Sequence, residues 1–181
     1  MAGKINLSEL PRETLISLIE MYSGLSLTLD GLWFTAVEDE FGLEEAVKTD
    51  EIVWGRYGEI EARRIIKTLN ISESGLDALA NALNFMVWVH ARGMDCEIEL
   101  EREDAAIVFT VTDCRPQKAR IRSGRGEFPC KPVGIAYFSK FAKAIDPEIE
   151  VECVVCPPDP HPENVWCRWK FRKRESKRSE T

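Results

Sequence analysis

The pattern of hydrophobic positions along this chain changes near residue 94. Before it they recur every three or four residues, and after it two stretches alternate apolar with polar. Pro11 opens the first predicted helix, whose apolar positions Leu15, Leu18, Ile19 and Tyr22 lead to a stop at Gly24. A second helix is expected to carry Leu32, Trp33, Ala36, Val37 and Phe41 and to end at Gly42. The third covers Leu43 to Leu69, with Asp50 as a candidate restart cap. Ser74 caps a fourth, which holds Leu76, Leu79, Leu83, Val87 and His90 and ends near Gly93. Gly55 and Gly58 lie one turn apart on the third helix. Each costs roughly 1 kcal/mol of helix stability, so the pair predicts close approach of another element, or room for a ligand.

Beyond residue 94 the period falls to two. Residues 96–112 read as a hairpin turning at Glu103–Asp104, in which Cys96 faces Val111, Ile98 faces Phe109 and Leu100 faces Ile107. Residues 149–172 read as a second hairpin. Centring its loop on Pro160 pairs Ile149 with Phe171, Val151 with Trp169, Cys153 with Cys167 and Val155 with Val165. The opposite face then sets Glu150 against Lys170 and Glu152 against Arg168. Between the hairpins, Pro132 to Ile145 predicts a helix with Ile135, Phe138, Phe141, Ala142 and Ile145 buried. The expected fold class is therefore α+β: an N-terminal layer of about four helices followed by a ββαββ four-stranded sheet unit. One domain over 1–174 is expected, with an acidic helical lobe over 1–93, a sheet lobe over 94–174 and a flexible basic tail over 175–181.

Charge sharpens this division. The net charge of −7 hides 9 Lys+Arg against 22 Asp+Glu in residues 1–114, and 15 against 9 in residues 115–181. Such a split either steers an anionic partner to the second half or binds the two halves together. Glu38, Asp39 and Glu40 are expected to be mostly solvated, because consecutive helix positions face different sides. No apolar run reaches membrane-spanning length and no secretory pattern opens the chain, so the expectation is a soluble cytoplasmic protein with reduced thiols.

The candidate chemistry gathers at one end of the sheet. Cys114 ends the second strand, Cys130 precedes the last helix, and Cys156 ends the third strand. The connection from Arg115 to Gly126 joins them, with Arg115, Lys118, Arg120, Arg122 and Arg125 read as lying on a loop. The Cys153-x-x-Cys156 spacing suggests zinc, but three residues along a strand reverse the face, placing Cys153 inward and Cys156 outward.

Several functional readings remain open. The basic residues and Lys131 at the helix start would hold a small anionic molecule. Cys114, Cys130, Cys156 and His161 would suit zinc in an interaction module. Cys130 as nucleophile, His161 as base and Asp159 as its orienting partner would suit a thiol-dependent hydrolase acting on a small carboxylate or amide. Trp33, Trp54 and Trp88 either pack the core or line a pocket for a partly apolar ligand. His90 is expected as a packed core histidine. Nucleic acid is disfavoured by the acidic half, a membrane partner is not expected, and a homodimer is compatible.

Trp33, Gly42, Ala46, Asp50, Trp54 and the run Ala62–Arg63–Arg64–Ile65 resemble a family of small prokaryotic cytosolic proteins of unknown function. Its relatives include proteins named by similarity to L-2-amino-thiazoline-4-carboxylate hydrolase. The cysteines spaced through the last helix and hairpin, ending in Cys167-Arg-Trp-Lys-Phe, loosely resemble vinyl-reductase-type and haem-NO-binding ligand domains. That resemblance implies helices packed on an antiparallel-rich sheet around a small ligand. A haem would need an axial ligand, for which His90 is the candidate among the helices.

Overall fold

The computed structural model describes residues 4–101 and 105–174; the expected Glu103–Asp104 turn and the basic tail lie outside the described residues. After a short 3-10 turn, Leu7–Glu9, the two helices expected before Gly42 are one helix, α1, Arg12–Phe41. Gly24 does not end it, because a lone glycine costs a long helix only about 1 kcal/mol. Gly24 instead clears space for Arg115, whose guanidinium lies 2.8 Å from where a Cβ would stand.

Gly42, with φ of 89°, ends α1 and donates its N–H to Glu38. α2, Leu43–Leu69, starts at the next residue and folds back along α1, setting Asp30 beside Trp54. It runs without the expected restart at Asp50 and stops at Asn70 in the left-handed region.

α3, Leu76–Leu83, is shorter than the expected fourth helix. Past it, the backbone of Val87 is taken by side chains. Glu61 Oε1 accepts its N–H at 2.5 Å, and Ser23 Oγ donates to its carbonyl. These partners replace a helical ladder and let residues 84–94 run as turns. His90 is consequently exposed, bonded to the Asn84 carbonyl, and is not a core histidine.

The sheet comprises β1 (Asp95–Glu101), β2 (Ala106–Asp113), β3 (Ile149–Val155) and β4 (Cys167–Lys173). Its order is β1-β2-β4-β3, antiparallel throughout. The first hairpin has the expected pairs Cys96–Val111, Ile98–Phe109 and Leu100–Ile107.

The second hairpin keeps the expected inner face but slips by two residues. Ile149 pairs with Lys173, Val151 with Phe171 and Cys153 with Trp169, so Cys153 does not face Cys167. An even slip leaves faces unchanged, and opposite charges still meet, now as Glu150–Arg172 and Glu152–Lys170.

A bulge between Cys153 and Val155 leaves Val154 unpaired and reverses the alternation after it. Cys156 is therefore fully buried rather than outward.

Two further helices join the strands. The segment read as a basic loop contains α4, Arg115–Arg122, opened by Pro116. Among the described residues, three α-helices therefore precede the sheet where about four were expected, and two lie between its strands where one was expected. α5, Lys131–Ile145, buries Val133, Tyr137, Phe138, Phe141 and Ala142, whereas Ile135 is exposed.

α5 lies between the sheet and α2. Phe138 packs on Trp169 and Phe171, while Gly55 and Gly58 bring α2 against Ala136 and Tyr137. Close approach is thus the use of that glycine pair. α1 forms the outermost layer over α2. Among the described residues, no helix is long and apolar enough to cross a membrane.

Candidate functional site

The inward stripes of α1 and α2 carry two acids among apolar and small residues. α1 presents Ser23, Gly24, Leu27, Asp30 and Phe34 inward; α2 presents Ala46, Asp50, Trp54 and Gly58. Asp30 and Asp50 line three adjoining cavities. The inner one, about 140 Å³, lies between the helices and the sheet, walled by Trp54, Trp88, Phe128 and Trp169. One outer cavity, about 440 Å³, opens toward α4, and another, about 540 Å³, lies in the α1–α2 groove.

Trp54 Nε1 donates to Asp30 Oδ1 at 2.9 Å. Among the described residues, neither acid has an ion-pair partner. Burial raises Asp30 to about 6. It raises Asp50 to about 8, with the neighbouring Asp30 charge adding to the shift. Asp50 is 8% exposed, so it is a buried acid that holds its proton at neutral pH.

The cysteines form the other wall. Cys114, Cys130, Cys156 and Cys167 all line the inner cavity. Cys130 precedes α5, and its Sγ lies 3.3 Å from Cys156 Sγ. Gln117 Nε2 donates to the Phe128 carbonyl at 2.8 Å and approaches Cys130 Sγ at 3.6 Å, while its Oε1 accepts the Phe128 N–H.

The hydrogen bond with Cys156 lowers the Cys130 pKa, burial opposes it, and the Gln117 amide acts in the same direction as Cys156. Cys156 is held protonated by Cys130, Cys167 and burial. Burial raises Cys114 above its ordinary value and takes Cys96 to about 12 and Cys153 to about 11.

The other expected site residues are dispersed. Asp159 does not orient His161. It pairs with Lys131 Nζ at 2.5 Å, while His161 meets Glu127 at 3.4 Å, bonds the Pro162 carbonyl and packs at a tilt against the Trp166 ring. Cys130, His161 and Asp159 therefore share no hydrogen-bonded chain. Among the described residues, no group of three or more His, Cys, Asp and Glu side chains has a metal-holding arrangement, and the set Cys114, Cys130, Cys156 and His161 is not assembled as one.

The basic set is largely neutralised from within. Arg120 makes a bidentate pair with Glu38 at 2.6 and 2.7 Å and lies over the Phe34 ring. Arg125 reaches Glu38 and Asp39, and Lys118 reaches Asp113. Glu38 is therefore half-buried in a pair rather than solvated, and Arg120 lowers its pKa. The charge split ties α1 to α4. Arg115 donates to Thr28 Oγ1, and it lines the 440 Å³ cavity with Arg122.

Trp54 and Trp88 line the inner cavity, but Trp33 is 69% exposed beside the groove. Sequence reasoning passed over Asp30 and Gln117 and read Asp50 as a cap. The available signal was the placement of both acids on otherwise apolar or small helical stripes.

A family model, DUF6125, matches residues 8–173 of the chain. The chain belongs to the DUF6125 family. That family is one of unknown function. No curated protein matches the chain. Within this DUF6125 protein, the matched span runs from the 3-10 turn before α1 to the last residue of β4, so the acid pair and the cysteine wall both lie inside it.

Proposed function

We propose that this DUF6125 protein is a small-molecule-binding or sensing domain whose ligand sits between the helical layer and the sheet. The observation that carries the reading is the pair of half-buried Asp30 and buried Asp50, shared by three adjoining cavities and without a paired cation among the described residues. Burying carboxyl groups without paired charge is costly, and a ligand that donates hydrogen bonds to them recovers part of that cost. The walls are aromatic and aliphatic, which favours a partly apolar body. The acid floor favours an amine, amidine or amide head over the anionic head suggested by the basic residues. The resemblance to helix-on-sheet ligand domains supports the same location.

A hydrolase reading is less supported, because the imidazole of His161 is engaged by Glu127, Pro162 and Trp166 rather than by Cys130. A zinc-stabilised interaction module has no observation in its favour.

Native mass spectrometry of the purified full chain, with a thermal-shift screen of small amines and amides, tests the proposal. The expected result is a retained or screened compound whose stabilising shift disappears in Leu27→Trp, which fills the inner cavity, and weakens in Asp50→Asn. A compound that binds equally well to a folded Leu27→Trp chain would place the site elsewhere.

A further inference from the structure

Cys130 and Cys156 approach each other more closely than the ligand reading requires. Their sulfurs are 3.3 Å apart, come from positions 26 residues apart, and meet where the start of α5 crosses the end of β3. The Lys131 N–H donates to the Pro157 carbonyl at 2.9 Å, fixing that crossing one residue beyond each thiol. A disulfide requires about 2.05 Å, so an approach of little more than 1 Å closes the bond.

The two thiols are also unlike each other. Cys130 sits at a helix N-terminus, shares a hydrogen bond with the Cys156 thiol and lies near the Gln117 amide, three features that favour its thiolate. Cys156 is fully buried, a setting in which a thiol keeps its proton. Both sulfurs belong to the wall of the inner cavity, which a molecule the size of hydrogen peroxide fits.

We propose that Cys130 and Cys156 form a peroxide-reactive dithiol that closes to an intramolecular disulfide. The Cys130 thiolate attacks one peroxide oxygen. The O–O bond breaks, Cys130 becomes a sulfenic acid, and the departing hydroxide takes a proton to leave as water. The Cys156 sulfur then attacks Cys130 Sγ. The S–O bond breaks, the S–S bond forms, and the sulfenic oxygen leaves with the Cys156 proton as a second water. Two thiols lose two electrons in all, and one peroxide becomes two waters. A small dithiol reductant such as dithiothreitol returns the pair to thiols. Because the reacting sulfurs line the proposed ligand cavity, oxidation changes its wall directly. The redox step does not depend on the ligand reading.

The experiment uses the reduced full chain, treated with hydrogen peroxide and examined by intact mass and non-reducing peptide mapping. The expected result is loss of two of the six thiols, with Cys130 linked to Cys156 and full reversal by dithiothreitol. Cys156→Ser should stop at a Cys130 sulfenic acid trapped by dimedone. Cys130→Ser should lose thiols about tenfold more slowly or worse. A folded wild-type chain that keeps all six thiols under peroxide overturns the proposal. So does a bond joining Cys156 to Cys167, or a Cys130→Ser chain that oxidises at the wild-type rate. One tightly held metal ion per chain that protects both sulfurs from peroxide would overturn it too. These outcomes leave the ligand-binding proposal untouched, since its readout is the thermal shift.

Discussion

Trp54 donates its indole N–H to Asp30, and Asp50 lies beside the same pair without an ion-pair partner among the described residues. One hydrogen-bond donor therefore serves a site holding two acids. Burial and the neighbouring charge leave Asp50 to hold its proton near neutrality. A carboxyl whose folded pKa lies above its unfolded value favours the fold while protonated. That contribution is present below the unfolded pKa and is lost as pH rises through the folded one. Between about pH 4 and pH 8 the wild-type chain should lose stability to urea. At 1.36 kcal/mol per pKa unit the loss from Asp50 is bounded at roughly 6 kcal/mol, and screening will make it smaller. Asp50→Asn should flatten the profile and exceed wild type at pH 8.5. Urea midpoints across this range check it, and parallel profiles for the two chains would refute the assignment.

Glu38 and Arg120 join α1 to α4 through a nearly enclosed bidentate pair. Removing one partner strands the other. Glu38→Gln should cost about 2 kcal/mol, with little dependence on salt, since enclosed pairs are poorly screened. Because Glu38 has a lowered pKa, its contribution is present above the unfolded carboxylate range and fades as pH falls through the folded value. Chemical denaturation at low and high salt will tell an enclosed pair from a surface one.

The two glycines Gly58 and Gly31 should respond oppositely to alanine. A Cβ on Gly58 would stand 2.6 Å from the Tyr137 carbonyl oxygen, which is backbone and cannot swing aside. Gly58→Ala should destabilise by about 2 kcal/mol despite its better helix propensity. Gly31 has nothing within 4 Å of the same position, so Gly31→Ala should stabilise by about 0.5–1 kcal/mol. Thermal melts of the two variants give the comparison.

Glu61 holds two groups at once: the Val87 N–H on one oxygen and the Tyr137 hydroxyl on the other. Glu61→Leu leaves both without a partner and should cost about 3 kcal/mol, whereas Glu61→Gln keeps an acceptor and should cost less than half as much. Amide exchange at Val87 should rise sharply in the leucine variant and mildly in the glutamine one.

Local pattern carried the sheet faces, the first hairpin's register and the buried side of α5, because alternation and helical spacing are written into adjacent residues. What was missed depends on distant partners. Gly24 reads as a stop until Arg115 is placed beside it. Residues 84–93 read as helix until Glu61 and Ser23 claim the Val87 backbone. α4 reads as a loop because arginines and lysine mask a short helix whose clearest local cue is Pro116. The strand ends placed Cys114, Cys130 and Cys156 together, as the structure does around the inner cavity, but His161 and Asp159 found other partners. The acids opposite, Asp30 and Asp50, gain their character from burial, which single residues do not announce.

Val154 gives the cysteine wall its arithmetic. With no partner on β4, it is one residue too many, and every position after it exchanges inside for outside. Deleting it would restore strict alternation and turn Cys156 toward water without altering either thiol. The meeting of the two sulfurs is thus a matter of parity, so a shift of one codon in β3 could separate them while every cysteine in the sequence remained in place.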